Sequence, residues 1–103
     1  MKTLKNFVNA FNAGDLDALA ACVAEDAWAE VVDAPFPREE GRDKIRATSF
    51  AYLLGESLTA EMGEVEVLLR DSDGVVDMAV RFEEKDGLAT VIRYFTRAHG
   101  HTP

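Results

Sequence analysis

Residues 4–23, LKNFVNAFNAGDLDALAACV, decide how this chain is read. Leu4, Phe7, Val8 and Phe11 recur at the i, i+3, i+4, i+7 spacing of one helix face, with Lys5, Asn6 and Asn9 turned to water. The pattern predicts a helix over 3–13. Thr3 would cap its start, and Gly14 would end it in a left-handed conformation open to a residue without Cβ. Asp15 is placed to cap a second helix, whose buried stripe would be Leu16, Leu19, Ala20 and Val23, with Cys22 near that face.

Working outward, the period changes at Ala27. Residues 28–33 (WAEVVD) are rich in large and β-branched side chains and predict a strand, stopped by Pro35 and Pro37, which cannot donate to a ladder. Helical spacing returns over 41–54 through Ile45, Ser49, Tyr52 and Leu53, with Gly55 as the stop. After it the chain is strand-like. Val65, Val67 and Leu69 alternate with charged residues. Val76, Met78, Val80 and Phe82 then give the cleanest period of two, and Leu88 to Arg97 form a third long strand. Asp71–Gly74 and Lys85–Gly87 are the turns between them. Helices followed by an antiparallel meander predict an α+β fold, a curved sheet with three N-terminal helices across one face and a concave space between.

Composition bounds the rest. The 103 residues, 48% of them hydrophobic, suffice for one core, so a single domain over 1–103 is expected. Nineteen acidic against eleven basic side chains give a net charge of −8, which repels phosphate backbones and anionic lipid and sets nucleic acid and membranes aside as partners. Cys22 is the lone cysteine, no apolar run approaches the ~20 residues of a membrane span, and the N-terminus lacks an apolar signal core. A cytoplasmic protein is expected.

Phe7 to Leu19, then Ala24-Glu-Asp-Ala27 and Gly41 to Arg46, resemble the nuclear transport factor 2-like superfamily. That group includes ketosteroid isomerases, SnoaL-like polyketide cyclases and limonene epoxide hydrolases. The resemblance implies a SnoaL-like domain with a cone-shaped roll, cystatin-like or ketosteroid isomerase-like, built around a small-molecule pocket. Carried over position by position, however, the isomerase machinery is missing. Phe7 stands where the isomerases carry an oxyanion-donating tyrosine, Val31 where they carry the aspartate base, and Arg93 near their second, neutral acid donor. Members of the superfamily also continue past the strand ending near Arg97. Either the sheet is a strand short here or its turns are trimmed to compensate, and a missing strand would leave an unpaired edge for a second copy of the chain to cover.

Candidate chemistry therefore rests on few residues. Asp33 shares strand parity with Val31 and is the candidate general base; Arg93, if it turns inward, could pair with it or bind a carbonyl. Phe7, Val31, Tyr52 and Tyr94 are expected to line the ligand site. Trp28, of opposite parity, belongs either to the core or to the outer sheet face, where this fold pairs into homodimers. His99-Gly-His101 lacks further ligands beside it, so neither a metal nor a cofactor is expected, and Cys22 has no basic neighbour to activate it. Two functions fit these residues. One is a pocket for a small, largely apolar ligand with isomerase, cyclase or hydrolase chemistry centred on Asp33; the other is a non-catalytic ligand-binding or dimerisation module.

Overall fold

The computed structural model describes residues 2–32 and 34–96. Helix α1 (Lys2–Asn12) and the short α2 (Leu16–Ala20) precede strand β1 (Val23–Val31) and the two-residue β2 (Glu39–Glu40). A third helical run, α3 (42–54), has α-helical turns at Arg42–Ile45 and Ala51–Leu54 around a π-helical turn at Arg46–Phe50. Four strands follow: β3 (Thr59–Met62), β4 (Glu66–Arg70), β5 (Val76–Lys85) and β6 (Leu88–Thr96).

The α+β architecture is as expected, and its meander β4-β5-β6 is antiparallel. The sheet as a whole is mixed. Its order is β2-β1-β6-β5-β4-β3, and β1 runs parallel to β6, with Ala29 opposite Ile92 and Val31 opposite Tyr94. Register breaks in the β1–β6, β4–β5 and β5–β6 pairings bend the strands and curve the sheet.

That order corrects the expected unpaired edge. The last described strand, β6, is central, with β1 on one side and β5 on the other. Sequence reading missed the two-residue β2 and, at the other edge of the sheet, β3. Its TAEM sequence has little β character, and a tertiary contact secures it: Asn12 Nδ2 donates to the Ala60 carbonyl at 2.9 Å, and the Ala60 N–H donates to Asn12 Oδ1 at 2.8 Å. A side-chain amide thus occupies part of an edge ladder that would otherwise be open.

Local chemistry explains the element ends. Gly14 takes φ of 67°, and Asp15 caps α2 by accepting from the Ala18 N–H at 3.0 Å. Val23, expected on the second helix, instead opens β1, because the chain turns at Cys22, whose carbonyl accepts from Ala89 N–H at 2.8 Å. Asp86 and Gly87, both at positive φ, form the tight hairpin between β5 and β6.

The core lies between α1 and the inner sheet face. Phe7 is fully buried, with its ring centroid 5.9 Å from Phe11, 5.7 Å from Phe50 and 5.2 Å from Phe82, so one side chain ties α1 to α3 and β5. Ile45, Leu69, Val80 and Ile92 belong to the same buried cluster. Among the described residues no helix is long and apolar enough to cross a membrane.

Thr3 is not the cap expected of it. It lies inside α1, fully buried, and donates to Glu84 Oε1 on β5 from its hydroxyl and from its N–H, the latter at 2.9 Å. A carboxylate from the sheet thus satisfies the first turn of α1. The Thr3 hydrogen bonds hold the Glu84 carboxyl below its ordinary value of 4.5. A lowered folded-state pKa stabilises the fold above the unfolded value and loses that contribution as pH falls through the folded one. Glu84→Gln should therefore be less stable than the parent at pH 7, and the gap should close as acid protonates Glu84 below about pH 4.5. Urea midpoints measured from pH 7 to pH 3 test this; a gap that stays constant across the range contradicts it.

Candidate ligand cleft

The helices do not cover the whole inner face. Between α3 and the far ends of β1, β5 and β6 lies a cleft of about 1040 Å³. Ala29 and Val31 of β1, Met78 of β5, and Tyr94 and Thr96 of β6 form its sheet wall; Lys44, Thr48, Ser49, Tyr52 and Leu53 of α3 face them. The 36–38 loop and Leu58 complete the rim. The wall follows from strand alternation, since Tyr94 and Thr96 share parity with core Ile92, and Val31 and Met78 are their register partners. Two large aromatic side chains stand open at the mouth, Phe36 at 64% and Tyr52 at 66% exposure.

The π-helical turn sets the polar part of this wall. An extra residue in the turn lets Phe50 enter the core while Thr48 and Ser49 line the cleft. Ser49 Oγ and Tyr94 Oη lie 2.6 Å apart and share a hydrogen bond. Tyr94 is 2% exposed, and burial pushes its phenol well above the usual range, with a smaller contribution in the same direction from the charge of Glu39. The hydroxyl therefore stays protonated at neutral pH. Glu39 itself lines the cleft, and its buried Oε1 has no hydrogen-bond partner among the described residues; the same holds for Thr96 Oγ1.

Of the residues singled out from sequence, Val31, Tyr52 and Tyr94 line the cleft. Phe7 does not, because its ring is spent on the aromatic core. Arg93 points the other way. As an odd-parity residue of β6 it stands on the outer face, donating to Glu30 at 3.1 Å and Glu83 at 2.6 Å, and lies 5.5 Å from the Trp28 ring centroid. The Glu83 hydrogen bond, above all, raises its pKa, so it is a fixed cation in a cross-strand ladder and is not brought to the cleft. Trp28 is half-buried on that outer face, under Arg38 at 3.7 Å. Burial pushes the Cys22 thiol up, away from the thiolate that nucleophilic chemistry needs. Asp33, His99 and His101 lie outside the described residues.

Glu39, Ser49 and Thr96 are among the cleft residues that sequence reading did not assign to a ligand. Glu39 follows two prolines in a stretch that reads as loop, and only its pairing with Ala29 places it against the cleft. Ser49 was legible as a small residue on the inner side of a helix, but its partner Tyr94 is 45 residues away.

A family model for the SnoaL-like domain matches residues 4–101. The chain belongs to that family. Solved structures agree with this SnoaL-like domain in fold. A candidate polyketide cyclase from Sinorhizobium meliloti is 24% identical, with 91% of this chain and 94% of that chain covered and a TM-score of 0.67. Bal32a, from a soil-derived mobile gene cassette, is 22% identical, with 89% and 84% covered and a TM-score of 0.65. A Mycobacterium tuberculosis protein solved in complex with estradiol-17β-hemisuccinate is 17% identical, with 89% and 88% covered and a TM-score of 0.62. No protein of curated function matches the SnoaL-like chain significantly.

The Ser49–Tyr94 pair gives an asymmetric prediction. Tyr94→Phe leaves a serine hydroxyl beside an open cleft, where water can replace the lost partner, and should cost about 0.5–1.5 kcal/mol of stability. Ser49→Ala leaves a buried phenol hydroxyl without its partner and should cost more, about 1–3 kcal/mol. Urea denaturation of both variants checks the order; equal costs, or Tyr94→Phe the costlier, contradict it.

Proposed function

We propose that this SnoaL-like domain binds a small, neutral, largely apolar molecule in the cleft between α3 and the sheet. The observation that carries the reading is the cleft itself. Its volume of about 1040 Å³ is that of a small-molecule site, and Val31, Leu53, Leu58 and Met78 give it an apolar wall with a few convergent polar groups. Four acidic side chains border it (Glu39, Glu56, Asp71 and Asp77) against one basic one, Lys44, since the charged ends of Glu30 and Arg38 are engaged on the outer face, a balance that disfavours anionic ligands. The steroid ester held by the Mycobacterium tuberculosis relative supports a flat apolar body as the ligand class.

Turnover of that ligand, in the manner of an isomerase, cyclase or hydrolase, is proposed to centre on Asp33, which follows the cleft-lining Val31 in the chain. Both layers of the reading are tested with 2-methoxynaphthalene as probe and with the turnover assays of those three reaction classes. Val31→Trp fills the cleft and should weaken the probe by at least about tenfold, the equivalent of about 1.4 kcal/mol, while the circular-dichroism spectrum stays that of the parent. Unchanged affinity in Val31→Trp means the probe binds elsewhere and ends the cleft reading. Asp33→Asn should abolish any turnover found while leaving probe affinity within about twofold, since a base acts in the reaction and not in ground-state binding. Turnover that survives Asp33→Asn removes Asp33 as the base, and a parent protein without turnover in any of the three assays leaves the domain as a binding module.

A further inference from the structure

The polar atoms bordering the cleft make up an unfinished set. The Ser49 and Tyr94 hydroxyls hold two hydrogens, and their mutual bond at 2.6 Å uses one of them. One donor is therefore left for a third group. Glu39 Oε1, in the same wall, is a buried acceptor with no partner among the described residues. Glu39 pairs with Ala29, whose partner on β6 is Ile92, two residues from Tyr94 and of the same parity, so the spare donor and the spare acceptor border the same cleft from the same sheet face. A buried carboxyl oxygen without a donor is costly.

We propose that the ligand carries a hydroxyl, as an alcohol or a phenol, and that Glu39 is the residue that selects it. This rests on the cleft reading above. A hydroxyl is a small group that can both donate to Glu39 Oε1 and accept from the Ser49–Tyr94 pair. An ether or ketone accepts only and leaves Glu39 unpaired; an ammonium donates only and leaves the hydroxyl pair unanswered. Selectivity of this kind is strong because the wrong ligand leaves a buried polar group stranded.

Thr96 Oγ1 is a second unpartnered atom, but it lies two residues beyond Tyr94 on β6, opposite Met78, whereas Glu39 pairs with Ala29 on the row before Tyr94. The two mark different parts of the wall and can be tested separately.

The experiment compares 2-naphthol with 2-methoxynaphthalene, which share an apolar body and differ in the donor, by calorimetric titration of the full chain. The parent protein should prefer 2-naphthol by about tenfold or more, the range of a hydrogen bond to a charged group. Glu39→Leu should erase the preference by weakening 2-naphthol alone, with 2-methoxynaphthalene unchanged as proof that the cleft is intact. Thr96→Val should keep the preference. Equal binding of both probes by the parent, or a preference that survives Glu39→Leu, overturns the role of Glu39 while leaving the cleft as a binding site. A preference lost in Thr96→Val but kept in Glu39→Leu overturns it too and moves the selecting group to Thr96. Binding of neither probe at millimolar concentration overturns the cleft reading, and the Glu39 proposal with it.

Discussion

The contacts of Phe7 are the constraint on which the remaining structure depends. A fully buried aromatic ring meets rings from its own helix, from α3 and from β5, so the position of α3 over the sheet is set at Phe50 and not at the cleft. Removing a core Phe ring of this kind costs about 3–5 kcal/mol, a large share of the stability of a small domain. The superfamily's isomerases place a catalytic tyrosine at this position. Here a hydroxyl would have to be buried among Phe11, Phe50 and Phe82 with no partner, and phenylalanine avoids that cost. One residue thus moves the polar chemistry of the domain away from α1.

The same anchoring divides the inner sheet face in two. Around Phe82, Ile92 and Val80 the helices close the face completely, and beyond Tyr94 they leave it open. The π-helical turn sits at the boundary. Its extra residue lets α3 seat Phe50 in the closed half and still present Ser49 to the open half. The outer face carries a different chemistry. Glu30, Arg93, Arg81 and Glu66 are successive register partners across four strands, with ion pairs of about 3 Å at the two outer links, Glu30–Arg93 and Arg81–Glu66. Such half-exposed pairs contribute little each, but they fix Arg93 and Trp28 on the side away from the cleft.

The sequence made the fold legible where period and local chemistry agree. The α1 stripe, the Asp15 cap, the strand of residues 76–85 and its glycine turn all declare themselves within a few neighbours. It was silent where tertiary contacts decide. TAEM becomes β3 because Asn12 reaches it from α1, and Glu39–Glu40 become a strand because β1 offers an edge. Neither signal exists in a local window. Arg93 illustrates the limit at the site, since its neighbours Val91 and Phe95 suit either face, and only the register against Glu30 and Arg81 assigns it outward. Tyr94, by contrast, could be chosen in advance as a large amphipathic side chain on a core strand. Its partner Ser49 and its neighbour Glu39 became visible only once the strands were aligned.

The central claim is that the open half of the inner face, and not the aromatic core or the outer ladder, is where this SnoaL-like domain meets small molecules. Methyl-resolved NMR during a titration with 2-naphthol tests it most directly. The account predicts shifts at Val31, Leu58 and Met78, which line the cleft, and none at Val23, Val67 and Leu69, which lie in the closed core. Shifts confined to the core methyls, or spread evenly over both sets, would contradict it.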